Sequence, residues 1–403
     1  MSLCLICNNE YKPFISFGPQ PIANGFIKME DLGNEYFFDM QVGHCEVCNM
    51  VQLVDQPDRE QMFNSNYAFF SSTSTYMAKH FQQFAETIKS TYLQNDNPFV
   101  VEMGSNDGIM LQNFKNWNIR HLGVEPSSNV ADVARSKGIN TIVEFFDEEV
   151  AKNIISEYGK ADAFMTANVM CHIPYIHSIA KGIKTLLSDN GVLCFEDPYM
   201  GDIMEKASYD QIYDEHVFFF SAMSVKYLFE MHGMELIDVA HQTTHGGSMR
   251  YTLAHKGAYN VSKSVEDLIE KEKSIGLNNS KNYAELKTRI EKSKTDLYEL
   301  LSSLKSQGKK VVGYGATSKS TTILNYCNIG PDLIEFISDT TPIKQGKLTP
   351  GMHIPVKEYN DFIASDADYT VLFAWNHKTE IMEKESKYKG KWITHVPFVQ
   401  VFE

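Results

Sequence analysis

Within Gln211-Ile212-Tyr213-Asp214-Glu215-His216, a phenol, a carboxylate and an imidazole fall inside four residues. An imidazole titrates near neutral pH and suits general-base work; a neighbouring carboxylate can orient or support it. A phenol can donate to a developing oxyanion. The run follows Glu196-Asp197-Pro198-Tyr199, which reads as the end of a central strand, and His172 stands three residues past Asn168-Val169 at the end of another. A lone histidine is ordinary in a core or on a surface. A Tyr-x-Glu-His cluster just past the carboxyl end of a strand points to proton transfer.

A second constellation surrounds Glu102-Met103-Gly104-Ser105-Asn106-Asp107-Gly108, between an apolar run (Phe99 to Met103) and a helical one. Glycine lets backbone approach a ligand, and ligands of open α/β sheets bind at the carboxyl edge. The spacing of Gly104 and Gly108 does not fit the dinucleotide pattern G-x-G-x-x-G. Gly123-Val124-Glu125-Pro126-Ser127 ends the next strand, and Glu125 stands 23 residues beyond Glu102, one strand-helix-strand step. An acidic residue there can accept both ribose hydroxyls. Together these marks predict an S-adenosylmethionine (SAM) pocket, with Asn168 lining its methionine end.

Cys4-x2-Cys7 and Cys45-x2-Cys48 are two knuckles separated by 37 residues. Each supplies two thiolates from a tight turn, and four satisfy a tetrahedral zinc with no open position. The site is expected to be structural. The other three cysteines, Cys171, Cys194 and Cys327, are scattered in apolar segments.

The elements that must position these residues form three blocks. Residues 1–66 hold the paired cysteines and read as a small zinc-binding domain with strands near Tyr36 to Val42 and Met50 to Val54. Residues 67–256 alternate strands and helices (Leu122 to Glu125, Ala163 to Thr166, Gly191 to Glu196) and close with a strand pair, Glu235 to Ala240 and Met249 to Ala254. Such alternation implies a class I, Rossmann-like α/β domain with a mostly parallel sheet and an antiparallel hairpin at its edge. Residues 257–403 begin with a charged helical stretch, Val265 to Gln307. They continue through Lys310 to Tyr314, Leu333 to Ser338 and Tyr369 to Ala374, read as strands of a second, smaller Rossmann-like α/β domain. There Gly313-Tyr314-Gly315-Ala316-Thr317-Ser318-Lys319 is a glycine turn before a helix, where backbone N–H groups hold phosphate and Lys319 adds charge.

Composition narrows the field. At 403 residues the chain exceeds one core. A net charge of −14, with no basic stripe, argues against nucleic acid. No apolar run approaches 18 residues, so no membrane span is expected. Met1-Ser2-Leu3-Cys4 does not open a signal peptide, and cysteine usage suits a reducing compartment; a cytoplasmic protein is expected.

Six features in one order resemble the zinc-containing C-methyltransferases of nucleotide-sugar biosynthesis. They are the paired cysteines, Tyr67 with Ser71-Ser72, Asn168-Val169-x-x-His172, Tyr213-Asp214-Glu215-His216, His245-Gly246-Gly247-Ser248-Met249-Arg250 and Gly313-Tyr314-Gly315-Ala316. The resemblance implies a nucleoside diphosphate-linked 4-keto-deoxysugar, a monomer or small homo-oligomer, and His216 as the base that removes the proton next to the ketone, at C3. It places Tyr213, Glu215, His172 and Tyr67 around the sugar. It gives the C-terminal domain a share of the nucleotide, through Gly315, Ala316, Lys319, Asp339 and Lys344. His245 and Arg250 would close the sugar pocket, with Arg250 near a phosphate or carboxylate. The sequence departs from the pattern where Phe69, Phe70 and Phe218 to Phe220 replace more polar residues. Competing readings are a SAM-dependent methyltransferase for an oxygen or nitrogen acceptor, a zinc-ribbon RNA methyltransferase, and an inactive sensor of SAM or a nucleotide sugar.

Overall fold

The computed structural model describes residues 2–57 and 75–403; Tyr67, Ser71 and Ser72 lie outside the described residues. A seven-stranded sheet forms the centre, in the order Met234–Gln242, Ser248–His255, Leu187–Pro198, Ala161–Ala167, Phe99–Met103, Arg120–Val124, Thr141–Ile142. Only Ser248–His255 runs against its neighbours, so the expected hairpin closes the edge. After Phe99–Met103 the chain builds to one side, then returns to build the other. The gap between Phe99–Met103 and Ala161–Ala167 is therefore the switch point, where ligands bind beyond the carboxyl ends.

A six-stranded sheet forms the C-terminal unit: Val356–Lys357, Ile337–Ser338, Val311–Tyr314, Tyr369–Leu372, Lys391–Thr394, Gln400–Phe402. All but the last pair are parallel. The stretch read as Leu333 to Ser338 is a strand only at its end, Ile337–Ser338. The charged stretch before it is two helices, Lys263–Ser274 and Ser280–Ser306, broken where Gly276 takes φ +77°. The Asn279 side chain caps the longer helix by accepting from the Lys281 N–H at 3.0 Å. Tyr283, Leu286, Ile290, Leu297, Leu301 and Leu304 line its buried face at helical spacing. Each fully buried leucine or isoleucine there contributes about 1.5–3 kcal/mol over exposure. That face shares one core with Ile15 and Phe17 of the N-terminal unit and Val311 and Ile393 of the C-terminal sheet.

The N-terminal unit is a four-stranded antiparallel sheet of Pro13–Pro21, Phe37–His44, Val51–Leu53 and Phe218–Phe219. Its fourth strand comes from the segment just after His216: Phe218 pairs with Gln52 and Phe219 with Val51. Phe218, Phe219 and Phe220, three of the phenylalanines that replace polar residues, are thus buried in this junction, while Phe69 and Phe70 lie outside the described residues. Among the described residues, no helix is long and apolar enough to cross a membrane.

Candidate active site

The Cys4 and Cys45 knuckles are built alike. Asn8 and Asn49 donate to the Cys4 and Cys45 carbonyls at 2.9 and 2.8 Å, and both asparagines take positive φ (56° and 58°), which asparagine tolerates well. The four sulfurs lie within 4.8 Å of one another, Cys4–Cys48 at 3.5 Å and Cys7–Cys45 at 3.4 Å. Contact with the Cys48 sulfur holds the Cys4 thiol down to about 5, while the same contact and burial push Cys48 up. An all-thiol donor set of this size fits a tetrahedral zinc, which would fix all four as thiolates.

At the switch point, Gly104 has φ +67°, and a Cβ there would meet Val169 Cγ2 at 2.4 Å. Glu125 accepts from the Asn106 N–H and the Ser127 N–H, both at 2.9 Å, one on each oxygen. Each oxygen keeps a lone pair for a hydroxyl. Burial raises the Glu125 carboxyl. Glu102 lies beneath the loop with one carboxylate oxygen lacking a protein partner, and burial, then Glu125, holds its carboxyl well above the usual range. Asp107 pairs with Lys137 at 3.3 Å. This donor set fits SAM: hydroxyl acceptors on Glu125 and a glycine-cleared approach at Gly104. Gly104, Asn106, Glu125, Pro126 and Asn168 line a cavity of about 400 Å³, whereas Glu102, Asp107 and Gly108 stand behind its wall. Phe145 and Phe146, beyond the carboxyl end of Thr141–Ile142, line it too. The rule that found Glu125 applies to that strand end; the strand itself is two residues long and shows no period.

The same cavity passes His172, Tyr213, Glu215 and His216 and reaches Thr317, Ser318, Lys319 and Lys344 of the C-terminal unit. His216 Nδ1 is 2.7 Å from the Gln211 carbonyl oxygen, which can only accept. Nδ1 therefore carries the proton, and in the neutral ring Nε2 holds the lone pair. Burial, then His172, lowers His216 well below the ordinary histidine range. The Tyr213 and His172 rings lie 4.0 and 5.3 Å from its centre. Burial also lowers His172 to about 4. Glu215 accepts from Asn24 Nδ2 at 2.7 Å, and burial raises its carboxyl.

His245, at φ 55°, faces Asn168 (φ 57°) with 3.3 Å between Nε2 and Nδ2. Two non-glycine residues in the left-handed region, side by side, mark a site that the fold holds under constraint. The His245 carbonyl accepts from Lys319 Nζ at 2.9 Å and from Gln211 Nε2. Burial lowers Lys319 to about 8, so it remains mostly cationic at pH 7. Lys344 Nζ donates to the Ala316 carbonyl at 2.8 Å.

Other expected substrate contacts stand elsewhere. Arg250 lies opposite Glu196 on the neighbouring strand and donates to it at 2.9 Å, with its guanidinium over Phe84 at 3.8 Å. His80 and Thr244 share that carboxylate. Arg250 is thus committed to a buried network and is absent from the cavity wall. Gly315, Ala316 and Asp339 also stand outside the lining: Gly315 (φ +89°) packs against Ala374, and Asp339 accepts from the Thr341 N–H at 2.8 Å. Trp375 donates to Asp210 at 2.6 Å and fills the space beside Gly246. Asn24, Phe145, Phe146, Tyr175 and His377 are lining residues that sequence reasoning missed.

Three family models match consecutive parts of the chain: a proposed zinc binding domain over residues 4–63, a methyltransferase domain over 72–239, and a C-methyltransferase C-terminal domain over 243–397. C-methyltransferase NovU of Streptomyces niveus is 32% identical over 400 residues, spanning 98% of this chain and 95% of that protein. Among solved structures, a SAM-dependent methyltransferase from Anabaena variabilis ATCC 29413 is 16% identical and covers 43% of this chain and 84% of its own, with a TM-score of 0.35. The CcbJ methyltransferase from Streptomyces caelestis is 10% identical and covers 44% and 90%, also with a TM-score of 0.35. Likenesses at that score add nothing to the family matches.

Proposed function

The chain belongs to the SAM-dependent C-methyltransferase family, and from that premise we propose that it methylates a nucleoside diphosphate-linked 4-keto-deoxysugar at the carbon beside the ketone, C3. The observation that carries this reading is the single cavity running from the Glu125 loop, past His216, to Lys319 and Lys344. Two cationic side chains at the end away from Glu125 suit a diphosphate. The units divide the work: residues 1–66 hold a structural zinc on Cys4, Cys7, Cys45 and Cys48, residues 67–256 hold SAM, and residues 257–403 hold the nucleotide.

Bound SAM supplies a methyl group on a sulfonium leaving group. His216 Nε2 removes the proton next to the ketone. Its low pKa keeps the ring neutral and available at pH 7, at the expense of basicity, so the enolate oxygen needs donors. Tyr213 and His172, whose rings lie 4.0 and 5.3 Å from that of His216, are the donors assigned to the enolate oxygen, each worth about 3–4 kcal/mol by analogy with an oxyanion hole. Glu215 gains a cation beside it as His216 takes the proton.

The test is incubation in D2O with a panel of nucleotide 4-keto-deoxysugars, with and without SAM, read by mass spectrometry. Deuterium uptake without SAM and a methylated sugar with it are expected. His216→Ala should slow the exchange by about 100- to 10,000-fold. Methyl transfer with no carbon-bound deuterium would replace this reading with an oxygen or nitrogen acceptor.

A further inference from the structure

The loop from Gln211 to His216 belongs to the central unit in sequence, but both other units hold it. From the N-terminal unit, the Ala23 N–H donates to Asp214 Oδ1 at 2.9 Å, and Asn24 Nδ2 donates to Glu215 Oε1 at 2.7 Å. From the C-terminal unit, Thr322 Oγ1 donates to the Ile212 carbonyl at 2.7 Å, and Thr321 Oγ1 to the Ala23 carbonyl at 2.9 Å. Within the loop, the His216 N–H donates to the Tyr213 carbonyl at 3.0 Å. Asn24 also lines the cavity that His216 lines.

We propose that Asn24 is a positioning residue for methyl transfer, whose amide fixes Glu215 beside His216 and makes the cysteine-bearing N-terminal unit a wall of the active site. The inference rests on reading Glu215 and His216 as proton-transfer machinery. An ionised carboxylate only accepts, so the Asn24 NH2 faces it and Oδ1 points elsewhere. A charge-assisted bond of this kind is among the stronger ones. The local turn does not depend on this side chain: the Gly25 N–H donates to the Ile22 carbonyl and the Phe26 N–H to the Asn24 carbonyl, both at 2.9 Å. Truncating Asn24 therefore removes the tether and leaves the loop.

Among the described residues, the charged and titratable groups that act on Glu215 are Asp214 on its own loop, Cys171 beyond the Ala161–Ala167 strand, and Lys344 from the C-terminal unit, while His216 follows it in the chain and lines the same cavity. Donation from Asn24 favours the ionised carboxylate, as does Lys344, against burial. Removing Asn24 must raise the Glu215 pKa.

The experiment uses zinc-loaded full-length protein carrying Asn24→Ala, Asn24→Asp or Asn24→Ser. Glu215 is followed by 13C-carboxyl NMR titration, which needs no substrate, and kcat is followed on the keto-sugar panel. Asn24→Ala should raise the Glu215 pKa and lower kcat about ten- to a hundredfold, with zinc content and SAM affinity unchanged. Asn24→Asp should raise it further by like charge, and Asn24→Ser, which keeps a donor, should recover part of kcat. If Asn24→Ala fails to fold, the aspartate and serine variants carry the same readouts. Wild-type titration and kcat in Asn24→Ala would overturn the proposal. A shifted titration in a protein that leaves every keto sugar unchanged would sustain the tether and sink the substrate assignment.

Discussion

At the residue scale, the base proposed for this site must be kept both neutral and basic. His216 is buried, donates through Nδ1 to a backbone carbonyl and has a second imidazole 5.3 Å away. All but the carbonyl contact disfavour its cation. A 15N NMR titration should therefore find the neutral Nδ1–H tautomer from pH 8 down through 6.5 and below. An imidazolium at pH 6 would mean that the ring is wetter than its packing allows. Much of this site was legible because its chemistry sits close together in sequence: Tyr213, Glu215 and His216 announce themselves. Asn24 was not, since its partner lies 191 positions away and an asparagine in a glycine turn has an ordinary explanation.

At the element scale, function sits where strands end. Gly104 shows how little room that leaves: its left-handed φ costs any side chain about 1–2 kcal/mol, and Val169 blocks the Cβ. Gly104→Ala should weaken SAM binding at least tenfold by calorimetry with zinc content unchanged; undiminished affinity would show that the loop re-forms around the methyl. Long strands were readable from apolar runs. Short ones were not, because two residues such as Thr141–Ile142 or Phe218–Phe219 carry no period. Pro13–Pro21 was masked by its three prolines. Arg250 was misplaced for a related reason. Only the register that sets it opposite Glu196 reveals that its charge is already taken.

At the scale of the whole molecule, the three units share one core and one cavity, so stability and activity are tied. Burial holds His172 at about 4 and His245 at about 3, both depressed from the ordinary 6.5. A depressed histidine contributes stability above its unfolded pKa and loses it as pH falls toward the folded value, because the unfolded chain takes up protons first. Between pH 7 and 5 each should therefore cost about 2 kcal/mol of stability. Thermal melts should fall over that window, and His245→Asn should flatten the slope. A melting temperature constant from pH 7 to 5 would show that these rings reach water.

The strand Phe218–Phe219 has a further consequence, for the order of events during synthesis. Three strands of the N-terminal sheet leave the ribosome well before the fourth, Phe218–Phe219, which is encoded after most of the central sheet. Until that strand arrives, Val51–Leu53 presents a bare edge, and the cysteine knuckles sit on an unfinished support. Nascent chains halted before Phe218 should be open to proteolysis in this region and should close only when the later segment emerges. The unit can be neither transplanted as a cassette nor recombined among relatives without carrying the stretch after His216 with it.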